Sequence, residues 1–124
     1  MKIAILSTFL GQKTSGGEIS AMHLAEQLQK QHEVVAITTK LEHKFSFRCF
    51  GIKRTKNIPN MLLHIGITPL EKYLARKVTK FLKKEQPNII HIQDYSMLVP
   101  GITAGKKLRI PTVMTVRDYR FVCN

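Results

Sequence analysis

Lys2-Ile3-Ala4-Ile5-Leu6-Ser7, then Gly16-Gly17-Glu18, then Ile19-Ser20-Ala21-Met22-His23-Leu24-Ala25-Glu26-Gln27-Leu28 is the stretch whose reading decides the fold. The first block is a continuous apolar run, the pattern of a strand covered on both faces of a parallel sheet. The third block predicts a helix over residues 17–30, with Ile19, Met22, Ala25 and Leu28 on its apolar face and Ala21 and Leu24 widening it. A strand, a glycine turn and a helix start, in that order, present free backbone N–H groups to an anion. Glycine has no Cβ, so positive φ and close approach to a phosphate are open to it, and the helix dipole favours negative charge there. The plainer alternative is a connecting turn whose glycines serve local geometry alone.

The same alternation continues along the chain. Glu33-Val34-Val35-Ala36-Ile37-Thr38-Thr39 is β-branched and reads as a second strand. Phe45, Phe47 and Cys49 alternate with Ser46 and Arg48, as in a short edge strand with one wet face. Residues 58–65 read as a short helix stopped near Gly66, and residues 69–85 as a longer one. In the latter, Pro69 suits the first turn and Leu70, Tyr73, Leu74, Val78, Phe81 and Leu82 form the apolar face. Asn88-Ile89-Ile90-His91-Ile92-Gln93 is a further buried strand, residues 97–108 a helix weakened by Gly101 and Gly105, and Pro111-Thr112-Val113-Met114-Thr115-Val116 the last strand. Strands alternating with helices imply right-handed crossovers and a doubly wound, mainly parallel, Rossmann-like α/β sheet. At 124 residues the chain is one domain by length, small for a complete two-substrate enzyme.

In such sheets ligands sit beyond the carboxyl ends of the strands, where strand order reverses. If strands one, four and five are neighbours, Gly16-Gly17, Asp94-Tyr95-Ser96 and Arg117-Asp118-Tyr119 face one crevice. Arg117 has the planar fork that grips phosphate or carboxylate, and Asp94 and Asp118 suit sugar hydroxyls or a base. The competing reading is a solvated Arg117-Asp118 turn. His91, inside an apolar strand, must find a partner or stay neutral, as a core histidine or a catalytic one.

Twenty Lys and Arg against eight Asp and Glu give a formal charge of +12, a field that draws nucleic acid, anionic membrane or phosphorylated substrates. Lys72, Arg76, Lys80 and Lys83 recur at helical spacing, broadened by Lys77 and Lys84, and form a candidate membrane-facing stripe if not merely a solvated face. Nucleic acid fits the charge equally well, but the chain has no recognition motif and few exposed-looking aromatics for base stacking, so no nucleic-acid partner is expected. The alternative function is that of a stand-alone basic α/β module binding nucleic acid or anionic membrane. Cys49 and Cys123 stand far apart without Cys-x-x-Cys spacing, so free thiols in a reducing cytosol are the expectation, with no zinc or other metal. No run reaches about 18 apolar residues, so any membrane attachment would be peripheral. A nicotinamide enzyme is disfavoured: Gly-x-Gly-x-x-Gly is absent, and Thr38-Thr39-Lys40 stands where an acid would hold a ribose.

Lys2-Ile3-Ala4-Ile5-Leu6, Gly16-Gly17-Glu18, Leu24-Ala25-Glu26-Gln27-Leu28 and His32-Glu33-Val34 together resemble the opening of glycosyltransferase family 4. Asn88-Ile89-Ile90-His91-Ile92-Gln93-Asp94 is similar to its second signature, and residues 111–123 to its "pvv-T-hDyw-vC" segment. The resemblance spans nearly the whole chain except residues 41–68. It implies one half of a GT-B architecture: an incomplete N-terminal, acceptor-side domain over residues 1–124, with the donor-binding C-terminal domain and its spaced glutamates missing. The implied reaction is a retaining, metal-free transfer from a nucleotide sugar to a glycan or lipid-linked sugar, with no cofactor and with this fragment inactive alone. Cysteine usage and the lack of a long apolar run place the expected protein in the cytoplasm, with any membrane attachment peripheral, at the inner face. Gly16 and Gly17 would approach the donor diphosphate, and Asp94, Tyr95, Arg117 and Asp118 would line the acceptor side. Many relatives carry His where Arg117 stands. A guanidinium cannot act as a base near neutral pH, which favours anion binding there. Gln31 replaces a helix-ending glycine, so a left-handed conformation would strain it. The last strand is expected to be an unprotected sheet edge.

Overall fold

The computed structural model describes residues 1–11, 16–39, 44–52 and 69–117. Its elements run β1 (Lys2–Leu6), α1 (Gly16–Leu28), β2 (Glu33–Thr38), β3 (Arg48–Gly51), α2 (Pro69–Glu85), β4 (Ile89–Ile92), a 3-10 turn (Tyr95–Met97), α3 (Leu98–Leu108) and β5 (Thr112–Met114). All strand pairs are parallel, in the order β3-β2-β1-β4-β5. From β1 the chain steps outward to β2 and β3, then crosses back to place β4 and β5 on the other side of β1. The reversal of strand order therefore falls between β1 and β4. The helix expected over residues 58–65 lies outside the described residues.

Alternation along the strands sorts the core into two layers. Ala4, Leu6, Val35, Ile37, Ile90 and Ile92 meet Val78 and Leu82 of α2 and Ala104 of α3. Ile3, Ile5, Val34 and Ala36 meet Ala21 and Ala25 of α1 on the opposite face. Full burial of aliphatics such as Ile5, Leu6, Ile37, Ile90 and Ile92 contributes about 2 kcal/mol each. In α1 the buried stripe is narrower than periodicity suggests. Ile19 is 36% exposed, and two alanines carry the contact because a small side chain lets the helix axis close on the sheet.

Glycines in α3 work the same way. A Cβ on Gly101 would stand 2.6 Å from Ile92 Cδ1, and one on Gly105 2.2 Å from Thr112 Oγ1. What reads in sequence as weakness of the helix is the condition for its close approach to β4 and β5. Gln31 is not left-handed, so it bears none of the strain expected of it; the left-handed non-glycine positions among the described residues are Gln86 and Arg109, just past α2 and α3. The Arg109 N–H bonds the Gly105 and Lys106 carbonyls, using carbonyls that the helix leaves unpaired.

The amino-terminal edge of the sheet is tied by charge. Glu85, its side chain 3% exposed, accepts from Lys2 Nζ at 2.8 Å and from Arg48 at 2.5 Å. Lys2 also pairs with Glu33 at 3.1 Å, and its N–H bonds Asn88 Oδ1 at 2.7 Å. One carboxylate thus joins the end of α2 to the starts of β1 and β3. The Lys2 hydrogen bond, against opposing burial, holds the Glu85 carboxyl below its usual 4.5; the Glu85 bond likewise raises Lys2 above 10.5. A lowered carboxylate pKa gives stability that is complete above 4.5 and disappears as pH falls through the folded-state value. Thermal melts of wild type and Glu85→Gln will therefore diverge near neutrality, by about 2 kcal/mol, and converge in acid. A difference unchanged down to pH 2.5 would refute the link.

Candidate functional site

Three strand exits meet at the carboxyl end of the sheet. Beyond β1 the ladder continues, with the Ser7 N–H on the Ile37 carbonyl, the Gln93 N–H on the Leu6 carbonyl and the Thr115 N–H on the Ile92 carbonyl. Register pairs Ile5 with His91 and His91 with Val113, so Ser7, His91, Gln93, Thr115 and Arg117 follow one parity, on the α1 side.

Asp94 clasps β1 to β4. Its Oδ1 accepts from Thr8 Oγ1 at 2.7 Å and from the Met97 N–H at 3.2 Å, capping the 3-10 turn. Its Oδ2 accepts from the Thr8 N–H, and the Ser7 hydroxyl, 3.2 Å away, divides its single proton between Oδ2 and the Phe9 carbonyl. A carboxylate offers about four lone-pair positions, and here they are taken up inside the protein. Asp94 therefore sets the loop in this structure and leaves little acceptor capacity for a sugar hydroxyl. Tyr95 starts the same turn and is half-buried.

Arg117 closes the constellation. One Nη donates to the Gly17 carbonyl at 2.6 Å and the other to Gln93 Oε1 at 2.6 Å. A single guanidinium thus joins the α1 start, the β4 exit and the β5 exit, bringing together Gly17 and Arg117 as the sequence suggested. Gly16 and Gly17 lie inside the first turn of α1, both exposed, instead of in the turn before it. Positive φ, expected of this bend, belongs among the described residues to Gly11 at 78°. What Gly16 offers is room, since a Cβ there would meet nothing within 4 Å. Asp118 lies outside the described residues.

His91 is half-buried, with Nε2 2.8 Å from Thr115 Oγ1. Burial first, and the nearby Arg117 charge second, push its pKa below 6.5, so the ring is neutral at pH 7. Gln93 was missed by reading the sequence. It is 4% exposed, and its Nε2 has no hydrogen-bond partner among the described residues. The one signal for it was a polar residue in phase with His91 at the end of an apolar strand. Among the described residues no three His, Cys, Asp or Glu side chains gather as metal ligands.

The sequence profile of Glycosyltransferase Family 4 matches residues 14–120, most of the chain and all three exits. The chain belongs to glycosyltransferase family 4. No curated protein matches it by sequence. Solved structures share its fold. A glycosyltransferase from Rickettsia africae aligns over 93% of this chain and 29% of its own, with 14% identity and TM-score 0.61. MurG of Acinetobacter baumannii aligns over 91% and 34%, at 17% identity and TM-score 0.65. The lipopolysaccharide outer core galactosyltransferase WaaB aligns over 92% and 32%, at 15% identity and TM-score 0.60. At these identities the likeness is one of fold, the Rossmann-like α/β sheet. The family 4 chain spans about a third of the length of these structures.

In this family 4 chain the clasp has a measurable consequence. Asp94→Ala strands the buried Thr8 N–H and leaves the Met97 N–H only its bond to the residue-94 carbonyl at 3.3 Å; it will lower stability by about 1 to 3 kcal/mol, whereas Asp94→Asn, which keeps an acceptor oxygen, will cost less. Chemical denaturation checks the order. Equal and small losses in both variants would contradict the role given to Asp94.

Proposed function

We propose that this chain is the N-terminal, acceptor-side part of a retaining glycosyltransferase of hexosyl type, moving sugar from a nucleotide donor to a glycan or lipid-linked acceptor. The observation that supports it best is the Arg117 bridge, which gathers the glycine-started helix and two strand exits at the point where strand order reverses. In this reading the donor diphosphate approaches Gly16 and Gly17 at the start of α1, where the helix dipole favours negative charge and a Cβ on Gly16 would meet nothing within 4 Å. Arg117 and Tyr95 line the acceptor side with Asp118, and Asp94 holds their loop. No metal or cofactor is assigned a part; the positive end of the α1 dipole faces the leaving diphosphate. Neutral His91 contributes no competing charge. The rest of the first domain and a donor-binding half with paired glutamates complete the enzyme.

A radiolabelled-donor assay tests this. The isolated 124-residue chain will transfer no sugar, the chain joined to a donor-binding half will, and Arg117→Ala in the joined protein will lower kcat/KM by about tenfold or more. Turnover by the isolated chain would overturn the division of labour.

We further propose that the protein works at the cytoplasmic face of a membrane, docked by α2. Lys72, Arg76, Lys77, Lys80, Lys83 and Lys84 are all exposed, while the acids of that helix, Glu71 and Glu85, are buried. No helix among the described residues is long and apolar enough to cross a bilayer, so this would be surface attachment. Each cation near anionic lipid contributes about 1 kcal/mol. Replacing Lys72, Arg76, Lys80 and Lys83 by Glu will weaken binding to phosphatidylserine vesicles on the order of a hundredfold or more, with the wild-type affinity falling steeply in salt. Equal binding by the variant, or tighter binding to oligonucleotides than to vesicles, would count against membrane docking.

A further inference from the structure

Gln93 and Arg117 form a pair whose orientation is fixed by chemistry. A guanidinium only donates hydrogen bonds, so the Gln93 oxygen must face Arg117, and the opposite flip of the amide would set N–H against N–H. Gln93 Oε1 does accept from Arg117 at 2.6 Å. The amide nitrogen is thereby turned away from Arg117, buried and, among the described residues, without a partner, in a residue only 4% exposed. A stranded buried donor costs about 1 to 3 kcal/mol, and such groups are rare in folded proteins. The unpaired donor belongs to the side chain that Arg117 holds, and Arg117 also holds the start of α1; an incoming ligand oxygen would satisfy it.

Charge defines that oxygen further. Among the described residues both bonds of Arg117 go to neutral acceptors, the Gly17 carbonyl and Gln93 Oε1. Among the described residues of the exit loops the carboxylate is that of Asp94, and it is spent on Thr8, Met97 and Ser7. Arg117 is exposed and keeps donors in reserve. His91, beside it and lowered in pKa, adds a neutral ring whose Nε2 is engaged with Thr115.

We infer that Gln93 Nε2 and the Arg117 guanidinium together receive an oxyanion, so that the acceptor is an acidic sugar bearing a carboxylate or a phosphate. One oxygen takes the Gln93 N–H and the negative charge rests on Arg117. This rests on the glycosyltransferase reading for the sugar, but the oxyanion site is derived from the side chains alone.

The test is a titration of the ¹⁵N-labelled chain, following the Gln93 side-chain amide pair, assigned as the pair missing in Gln93→Glu. Glucuronate, glucose 6-phosphate, glucose and uridine diphosphate are added at constant ionic strength. Glucuronate and glucose 6-phosphate will shift the Gln93 pair, and glucose at the same concentration will not. Gln93→Glu, which turns the donor into an acceptor and neutralises Arg117, and Arg117→Gln will each weaken binding about tenfold or more. Unchanged backbone resonances in β1 and β4 will show that the fold survives; should a variant unfold, the wild-type comparison of glucuronate with glucose decides alone. Glucose binding as tightly as glucuronate, or shifts confined to the α2 lysines, would overturn the inference. So would a Gln93 response to uridine diphosphate and to neither acid, which would mark a donor subsite. In the joined enzyme, transfer to neutral sugars only would refute the acidic acceptor and leave the transferase standing. Acid binding at Gln93 without any transfer would do the reverse.

Discussion

The clasp between Asp94 and Thr8 is the constraint on which this site depends. Parallel strands that are neighbours in space but distant in sequence have no turn to fix their ends, so their exits need a tie of their own. Thr8 supplies an N–H and a hydroxyl to one carboxylate, and that carboxylate also caps the turn leading into α3. The rim at the reversal of strand order is thus held by charge-assisted hydrogen bonds, about twice as strong as neutral ones. Breaking them would leave buried N–H groups unpaired instead of merely loosening a loop.

Opposite ends of the sheet use charge differently. At the amino-terminal edge Glu85 is answered by Lys2 and Arg48 in a closed ion-pair network. At the carboxyl edge Arg117 is answered only by neutral oxygens among the described residues. The first arrangement is complete in itself and serves stability. The second leaves positive potential beside a helix start, at the place where α/β sheets bind ligands.

Family membership gives the reaction class, and the side chains refine it. An imidazole at the Arg117 position would offer a base or a neutral donor; a guanidinium offers a permanent charge and a fork. With Gln93 oriented by that fork, its amide nitrogen faces away from the guanidinium and is unpaired among the described residues. The basic face of α2 is a separate feature, on the layer that covers the other side of the sheet, so the exposed cations of α2 and the Arg117 rim lie on different surfaces.

Local patterns in the sequence determined the elements. Helix α2 runs over the residues that Pro69 and the apolar spacing indicate, and the buried strands lie within their β-branched runs, because periodicity and propensity act over a few residues. The sequence also determined that the exits of strands one, four and five carry the polar residues, since those lie where each apolar run stops. Tertiary structure alone decided what those residues do. Asp94 looks like a ligand-binding acid until β1 is laid beside β4 and Thr8 claims it; Gln93 looks like the end of a strand until β5 brings Arg117 to its oxygen. Gly101 looks like a flaw in a helix until Ile92 is found beneath it. In each case the deciding partner is distant along the chain, and a hydrogen bond or a close contact depends on separations that no local pattern encodes.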